Sequence, residues 1–429
     1  MRVLVIGAGG VGGAFAAIAA RRNFVTRLVI ADVNLEKAQA VATRAAKDGL
    51  QSFAEFVDAS SFDNILDLAR KHSIDAIVNL CDPRFNPPIF AAAFEAGCMY
   101  IDTACTLSGL HPEKPYELLG KPLGEEQFAM HERWLERGQL AITGMGVEPG
   151  MSDVFARYAS DHLFKSIDEI GVRDGSNLVI EGYAFAPTFS IWTTIEECLN
   201  PPIIYEQARG WFTSEPFSEP EIFDFPEGIG PMECVNVEHE EVLFIPRHLQ
   251  ANRVTFKYGL GDEFIEVLKT LHKLGLDSTR KIRVGGVEVS PRDLVAASLP
   301  DPAKLGDRMH GKTCAGTWIK GIGVNGKPRE VYLYHVAENA VTMREYGIQA
   351  VVWQTALNPV IALELIASGQ WKGAGVQTPE AFDAVPYLTM LEAYGAPHKL
   401  EERSPFSVNV PRIPAAVIAP SLVGASGDD

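Results

Sequence analysis

The first 145 residues alternate short, almost wholly apolar runs with segments of helical period. Val3-Leu4-Val5-Ile6, Leu28-Val29-Ile30-Ala31, Ala76-Ile77-Val78-Asn79, Met99-Tyr100-Ile101-Asp102 and Leu140-Ala141-Ile142-Thr143 read as buried strands, with another over 53–57. Strands covered on both faces need apolar side chains at successive positions, which these runs supply. The stretches 14–22, 35–47, 63–71, 88–96 and 127–137 read as helices. This alternation predicts an α/β domain over 1–150, built on a doubly wound parallel sheet.

After Gly150 the pattern changes. Residues 165–340 carry longer strand-like runs, such as 169–173, 254–258, 281–284 and 331–335, interrupted by a helical stretch over 263–274. A separate α+β domain over 151–345 is expected, for substrate binding and dimerisation. Its apolar, strand-rich character predicts a homodimer. Residues 346–402 are expected to be helices returning to the first domain, with Pro359 kinking or breaking the helix over 349–366. The proline-bearing stretch 403–429 reads as a mobile tail. No uninterrupted run of about 18 apolar residues is present, so no membrane span is expected.

Charge narrows the partners. Among 429 residues, 38 Lys and Arg oppose 55 Asp and Glu, a net charge of −17. That balance disfavours nucleic acid and anionic membranes, which require basic surface. A small molecule is the expected partner. The six cysteines, at 81, 98, 105, 198, 234 and 314, form no C-x-x-C pair. Free thiols in a reducing cytoplasm, without a metal site, are expected. Met1 to Gly13 has no signal-peptide pattern.

Gly7-Ala8-Gly9-Gly10-Val11-Gly12 is G-x-G-x-x-G directly between a strand and a helix. Its glycines permit a tight turn, close approach of a pyrophosphate and close helix packing, the Rossmann fingerprint. Free N–H groups at the helix start favour phosphate. Asp32 ends the second strand 20 residues after Gly12. A carboxylate there binds ribose hydroxyls and favours NAD, with NADP the alternative, and no Arg stands at 33 or 34 for a 2′-phosphate. Asp58, Asn79, Leu80, Asp102 and Thr103 fall on the same carboxyl edge, where cofactors bind in such sheets. Asp58 reads equally as a helix N-cap.

These residues resemble the saccharopine dehydrogenase family over residues 1 to about 400. G-A-G-G-V-G with Ala31-Asp32-Val33 and Leu35-Glu36-Lys37-Ala38 is similar to its NAD-using lysine 6-dehydrogenases. Tyr100-Ile101-Asp102-Thr103-Ala104 and Gly146-Val147-Glu148-Pro149-Gly150-Met151 resemble the family's strand-end D-T and P-G turn. In the second half, His239-Glu240-Glu241, 253–275, Leu299-Pro300-Asp301-Pro302, Gly311-Lys312-Thr313, Ile319-Lys320-Gly321 and Gly373-Ala374-Gly375-Val376 resemble the carboxynorspermidine dehydrogenase branch. That branch carries Ser-Arg-like residues after the second strand and uses NADPH, whereas this chain has Asp32-Val33-Asn34.

The resemblance implies a nicotinamide-dependent oxidoreductase of amino-acid metabolism acting on the CH–NH bond of an amino-acid-derived amine. Saccharopine cleavage to glutamate and a semialdehyde leads. Carboxynorspermidine and lysine 6-dehydrogenase chemistries follow, and a nucleotide-binding sensor without catalysis is the non-enzyme alternative. Such chemistry needs groups that move protons and anchors for carboxylates. Asp102 is the first candidate for proton handling, with a cap or ribose ligand as its alternatives. Cys105 on the same loop, and His239 in a proton relay or a surface-charged face, follow. Glu240 is a candidate for amine contact. Phe189 and Trp192 would wall the substrate stem or pack in the core. Arg84, Arg173 and Arg209 are the anchor options, and Lys312 would hold substrate or sit in a turn.

Overall fold

The computed structural model describes residues 1–47 and 49–403. The expected tail beyond 403 lies outside the described residues.

Six strands, β1 (Arg2–Ile6), β2 (Arg27–Asp32), β3 (Gln51–Phe56), β4 (Ala76–Asn79), β5 (Met99–Asp102) and β6 (Leu140–Ile142), form the N-terminal sheet. A seventh, Gly375–Gln377, returns from the far end of the chain to pair with β6. The order is Gly375–Gln377, β6, β5, β4, β1, β2, β3, and every pairing is parallel. Val3 to Ile6 are fully buried, whereas edge strand β3 leaves Phe53 and Phe56 exposed. Strand order reverses between β1 and β4, and the crevice beyond their carboxyl ends is where such sheets take ligands.

Helix α1 (Gly10–Ala19) follows β1. Ala350–Ala367 packs along it as one helix with Pro359 inside, so of the two expected outcomes, kink or break, the break does not occur. This helix has mean hydropathy 1.5 over 18 residues, long and apolar enough to cross a membrane by composition, although no uninterrupted apolar run marks it. Its apolar faces are instead covered by the fold, and 72% of it is buried. The stretch expected as one helix over 127–137 is two short ones, Glu125–Phe128 and His131–Glu136.

The second domain is a mixed nine-stranded sheet. Its centre is Phe164–Ser176, parallel to Arg253–Gly259 and antiparallel to Lys312–Gly323, which turns back into Pro328–Glu338. The helices Met151–His162 and Glu241–His248 pack against this sheet. Main-chain segments near 102–107, 192–197 and 238–241 therefore converge at one place between the two sheets.

Candidate active site

The glycine loop is shaped as a phosphate cradle. Gly7 has φ +103°, and a Cβ there would lie 2.8 Å from the Leu80 carbonyl oxygen. At Gly12 a Cβ would come within 1.9 Å of the Gly7 oxygen, so the turn closes only with glycine. Gly9 faces open space, while Gly10 packs towards Ala303 and Val352. Val11 joins Gly10 in lining a cavity of about 470 Å³. Asp32 accepts the Ala8 N–H at 2.7 Å and the Asn34 N–H at 2.8 Å. Each of its oxygens keeps a lone pair for a ribose hydroxyl. The cradle, the start of α1 and this carboxylate fit a dinucleotide.

Other strand-end residues do different work. Asp58 accepts the Ser60 N–H and hydroxyl, and Ser61 rather than Asp58 caps the next helix. Asn79 is buried and donates to Asn86 Oδ1 and the Tyr100 hydroxyl, while its oxygen accepts the Cys81 N–H. It braces the Leu80-Cys81 turn against the glycine loop. Asp102 caps no helix. It accepts the Gly144 N–H at 2.7 Å, Gln127 Nε2 at 2.7 Å and the Tyr100 hydroxyl at 2.9 Å. Burial pushes its carboxyl up to about 7, against the pull of those donors. Thr103, next along, packs towards Gly146 at the crossing between domains.

Beyond Asp102 lies a buried acidic cluster. Strand Gly230–Asn236 ends just before Glu238-His239-Glu240, and helix Glu241–His248 follows. His239 is 1% exposed and Glu241 0%, so the surface-face alternative does not hold. The imidazole stacks on Phe256 at 3.7 Å, sets Nδ1 2.5 Å from Glu241 Oε2, and turns Nε2 towards the Tyr258 hydroxyl at 3.5 Å. Burial works to lower its pKa, but the Glu241 charge and hydrogen bond, helped by Glu197 and Glu240, raise it to about 10. His239, Glu240 and Glu241 also offer ligand-type atoms within 4.8 Å of one another.

Glu240 Oε1 accepts the Cys105 N–H at 3.0 Å. The Cys105 thiol is pushed well up by burial and by the Asp102 and Glu240 charges, so it stays protonated and contributes its main-chain donor. Glu197 rises to about 8 and Glu238 to about 7, both chiefly through burial. Together with Glu196, Trp192 and Cys105 these carboxylates line a narrow cavity of about 20 Å³, room for little more than a water.

Trp192 joins this cavity to the one beside the glycine loop, where Phe189 also stands. The Ser190 cap of helix Ile191–Leu199 accepts the Thr193 N–H and sets the helix that presents it. Of the anchor options, Arg173 is buried and consumed by Glu221 and Thr255. Arg209 is exposed over Phe212, and Arg84 lies against Trp192. Lys312 donates to the Glu227 carbonyl in a separate cavity that shares no residue with the acidic one. Sequence reasoning missed Glu197, Glu238 and Arg292. The run Glu238-His239-Glu240-Glu241 after an apolar strand was a usable signal for Glu238, and Glu196-Glu197 on an otherwise apolar helix was one for Glu197.

A dinucleotide cradle opening onto a desolvated, proton-bearing cleft defines an NAD(P)-dependent oxidoreductase. Residues 3–142 match the saccharopine dehydrogenase NADP binding domain, and residues 146–396 the saccharopine dehydrogenase C-terminal domain. The chain belongs to the saccharopine dehydrogenase family. It is 29% identical over 417 residues to a carboxynorspermidine synthase of Vibrio alginolyticus, covering 94% of this chain and 98% of that one. It is 27% identical over 406 residues to a carboxyaminopropylagmatine dehydrogenase of Synechocystis, with 94% and 98% covered. Saccharopine dehydrogenase (L-Glu forming) of Saccharomyces cerevisiae shares the fold, with TM-score 0.68 at 14% identity over 94% of this chain and 100% of that one.

Proposed function

We propose that this oxidoreductase makes or breaks the CH–NH bond of a polyamine that carries an amino-acid carboxylate, as in carboxynorspermidine. The carrying observation is the buried group Glu197, Glu238 and Glu240. Glu197 Oε2 has no hydrogen-bond donor among the described residues. Buried carboxylates without donors are costly, and a chain of ammonium groups supplies both donors and charge. Carboxynorspermidine is a triamine with one carboxylate. Saccharopine, the leading expectation from sequence, has more carboxylates than cationic nitrogens and suits an acidic wall less well. The names of the two relatives support the polyamine reading.

In the forming direction an amine adds to a carbonyl, water leaves to give an imine, and a hydride and a proton reduce C=N to CH–NH. When bound, the nicotinamide supplies the hydride. Glu238, near neutrality, takes a proton from the incoming ammonium and returns it to the departing hydroxyl. His239 holds the charge balance among the surrounding carboxylates. Asp32 supports NAD over NADP as part of this reading. Six free cysteines support a reducing cytoplasm. The exposed apolar hairpin bearing Ile282, Val284 and Val287 supports a homodimer.

The test supplies the full chain with NADH or NADPH, diaminopropane and an aldehyde bearing a 2-amino carboxylate. Cofactor oxidation coupled to a carboxylated triamine, identified by mass spectrometry, is expected. Turnover only with glutamate and a lysine-derived semialdehyde would overturn the reading.

A further inference from the structure

We propose that Arg84, at the ring of Trp192 and with Arg292 behind it, forms the seat for the substrate's carboxylate, and that Asp293 occupies this seat in this structure. The proposal rests on the polyamine reading above and says which end of the substrate lies where.

Two guanidinium groups from different domains converge on one indole. Arg84, in the turn Pro83–Phe85 after β4, places its Cζ 4.2 Å from the ring centroid. Arg292, in helix Pro291–Ser298 of the second domain, places its Cζ at 4.7 Å. Burial lowers the pKa of Arg292 to about 10, and the Arg84 charge adds to the fall. Such a pair requires anions. Asp82 and Glu196 supply two, at 2.9 Å from Arg84 Nε and in direct contact with Arg292.

The third anion is held more loosely. Asp293 Oδ1 lies 3.5 Å from Arg84 Nη1, and both side chains are roughly half exposed, 42% and 49%. The same oxygen accepts the Trp192 Nε1–H at 3.0 Å. One protein carboxylate oxygen is thus already seated between an indole donor and a guanidinium, the arrangement a substrate carboxylate would use. Trp192 is buried, but the Arg84 and Asp293 side chains both reach solvent, so exchange of Asp293 for another carboxylate at Arg84 costs little desolvation.

Position fits this role. Trp192 and Glu196 line the acidic cavity together with Glu197, Glu238 and Glu240. A substrate carboxylate on Arg84, beside the Arg292 charge that Glu196 and the Asp277 carbonyl already hold, therefore places the rest of the molecule along Trp192 towards the carboxylates that receive ammonium groups. The cavity holds about 20 Å³, and the Arg84–Asp293 pair is one of the contacts that must part for entry. Among the three arginines that sequence offered as anchors, only Arg84 reaches this cleft, and its partner Arg292 is a residue that sequence did not single out.

The experiment measures dissociation constants of carboxynorspermidine and of norspermidine, which lacks the carboxyl group, by calorimetry on the full chain saturated with oxidised cofactor. Wild type is expected to favour the carboxylated ligand by about tenfold or more, the scale of a hydrogen bond to a charged group. Arg84→Gln should erase that preference with norspermidine affinity unchanged, and Arg84→Lys should restore part of it. Asp293→Asn should tighten carboxynorspermidine alone. Absence of a preference in wild type, or the same preference in Arg84→Gln as in wild type, would overturn the seat. Equal weakening of both ligands would do the same and make Arg84 an interdomain contact only. If wild type bound neither ligand, the polyamine reading itself would fall, and the seat with it.

Discussion

Replacing His239 with Gln removes the imidazole embedded among Glu197, Glu240 and Glu241. Among the described residues Glu241 then keeps only the Ser152 hydroxyl, at 3.2 Å, as a side-chain donor. Breaking a buried pair in this way costs about 3–5 kcal/mol. The raised pKa of His239 leads to a figure of the same order. Its rise from 6.5 to about 10 corresponds to roughly 5 kcal/mol, at about 1.36 kcal/mol per pH unit. The folded-state value is raised, so the stabilisation is full below about pH 6.5, declines from there, and is gone once pH passes about 10. Urea unfolding of wild type and His239→Gln should therefore differ by about 5 kcal/mol at pH 6 and by about 1 kcal/mol at pH 9. Turnover at pH 7 should fall by about 10²-fold, while NADH affinity should hold, because the glycine loop shares no contact with His239. A gap below about 1 kcal/mol at pH 6, or a gap that does not vary with pH, would refute the buried imidazolium.

Glu197→Gln should raise KM for the amine by about tenfold and leave the NADH dissociation constant unchanged, checked by initial rates and fluorescence titration. Binding of a triamine at pH 7 should release protons, because ammonium groups lower the pKa of Glu197 and Glu238 from about 8 and 7. Calorimetry in buffers of different ionisation enthalpy reads that release, and net proton uptake would contradict it. Asp102→Asn turns an NH₂ group towards one of its three donors, so a stability loss of about 1–3 kcal/mol is expected, with saturated kcat within a few-fold of wild type. Asp32→Ala should narrow the preference for NADH over NADPH, and equal binding of both by wild type would remove the preference altogether.

The nucleotide domain was legible because its signals are local. Val3 to Ile6, the glycine turn and Asp32 each report on their own strand–turn–helix neighbourhood. Strand Gly375–Gln377 escaped notice because three residues carry no period, and its pairing with β6 is a tertiary fact. Ala350–Ala367 tolerates Pro359 because burial along α1 outweighs the lost main-chain bond. Asp102 was placed correctly at a strand end, but only the fold brings Tyr100, Gln127 and Gly144 to hold its carboxylate with three donors. The acidic cluster could not be assembled from spacing, since Cys105, Glu197 and Glu240 meet only when the two sheets pack together. Glu238-His239-Glu240-Glu241 looks solvated in isolation, and its burial follows from its place between an inner strand and helix Glu241–His248.

The central claim, that an acidic interdomain cleft selects a carboxylated polyamine for nicotinamide-dependent CH–NH chemistry, is tested most directly by one panel. Wild-type kcat/KM is measured for cofactor-dependent oxidation of carboxynorspermidine, saccharopine and lysine, each with NAD and NADP. The account predicts that carboxynorspermidine leads by about two orders of magnitude or more, as expected when a buried site is left with unpaired charges by the wrong substrate. Saccharopine oxidised as efficiently as carboxynorspermidine, or better, would contradict it.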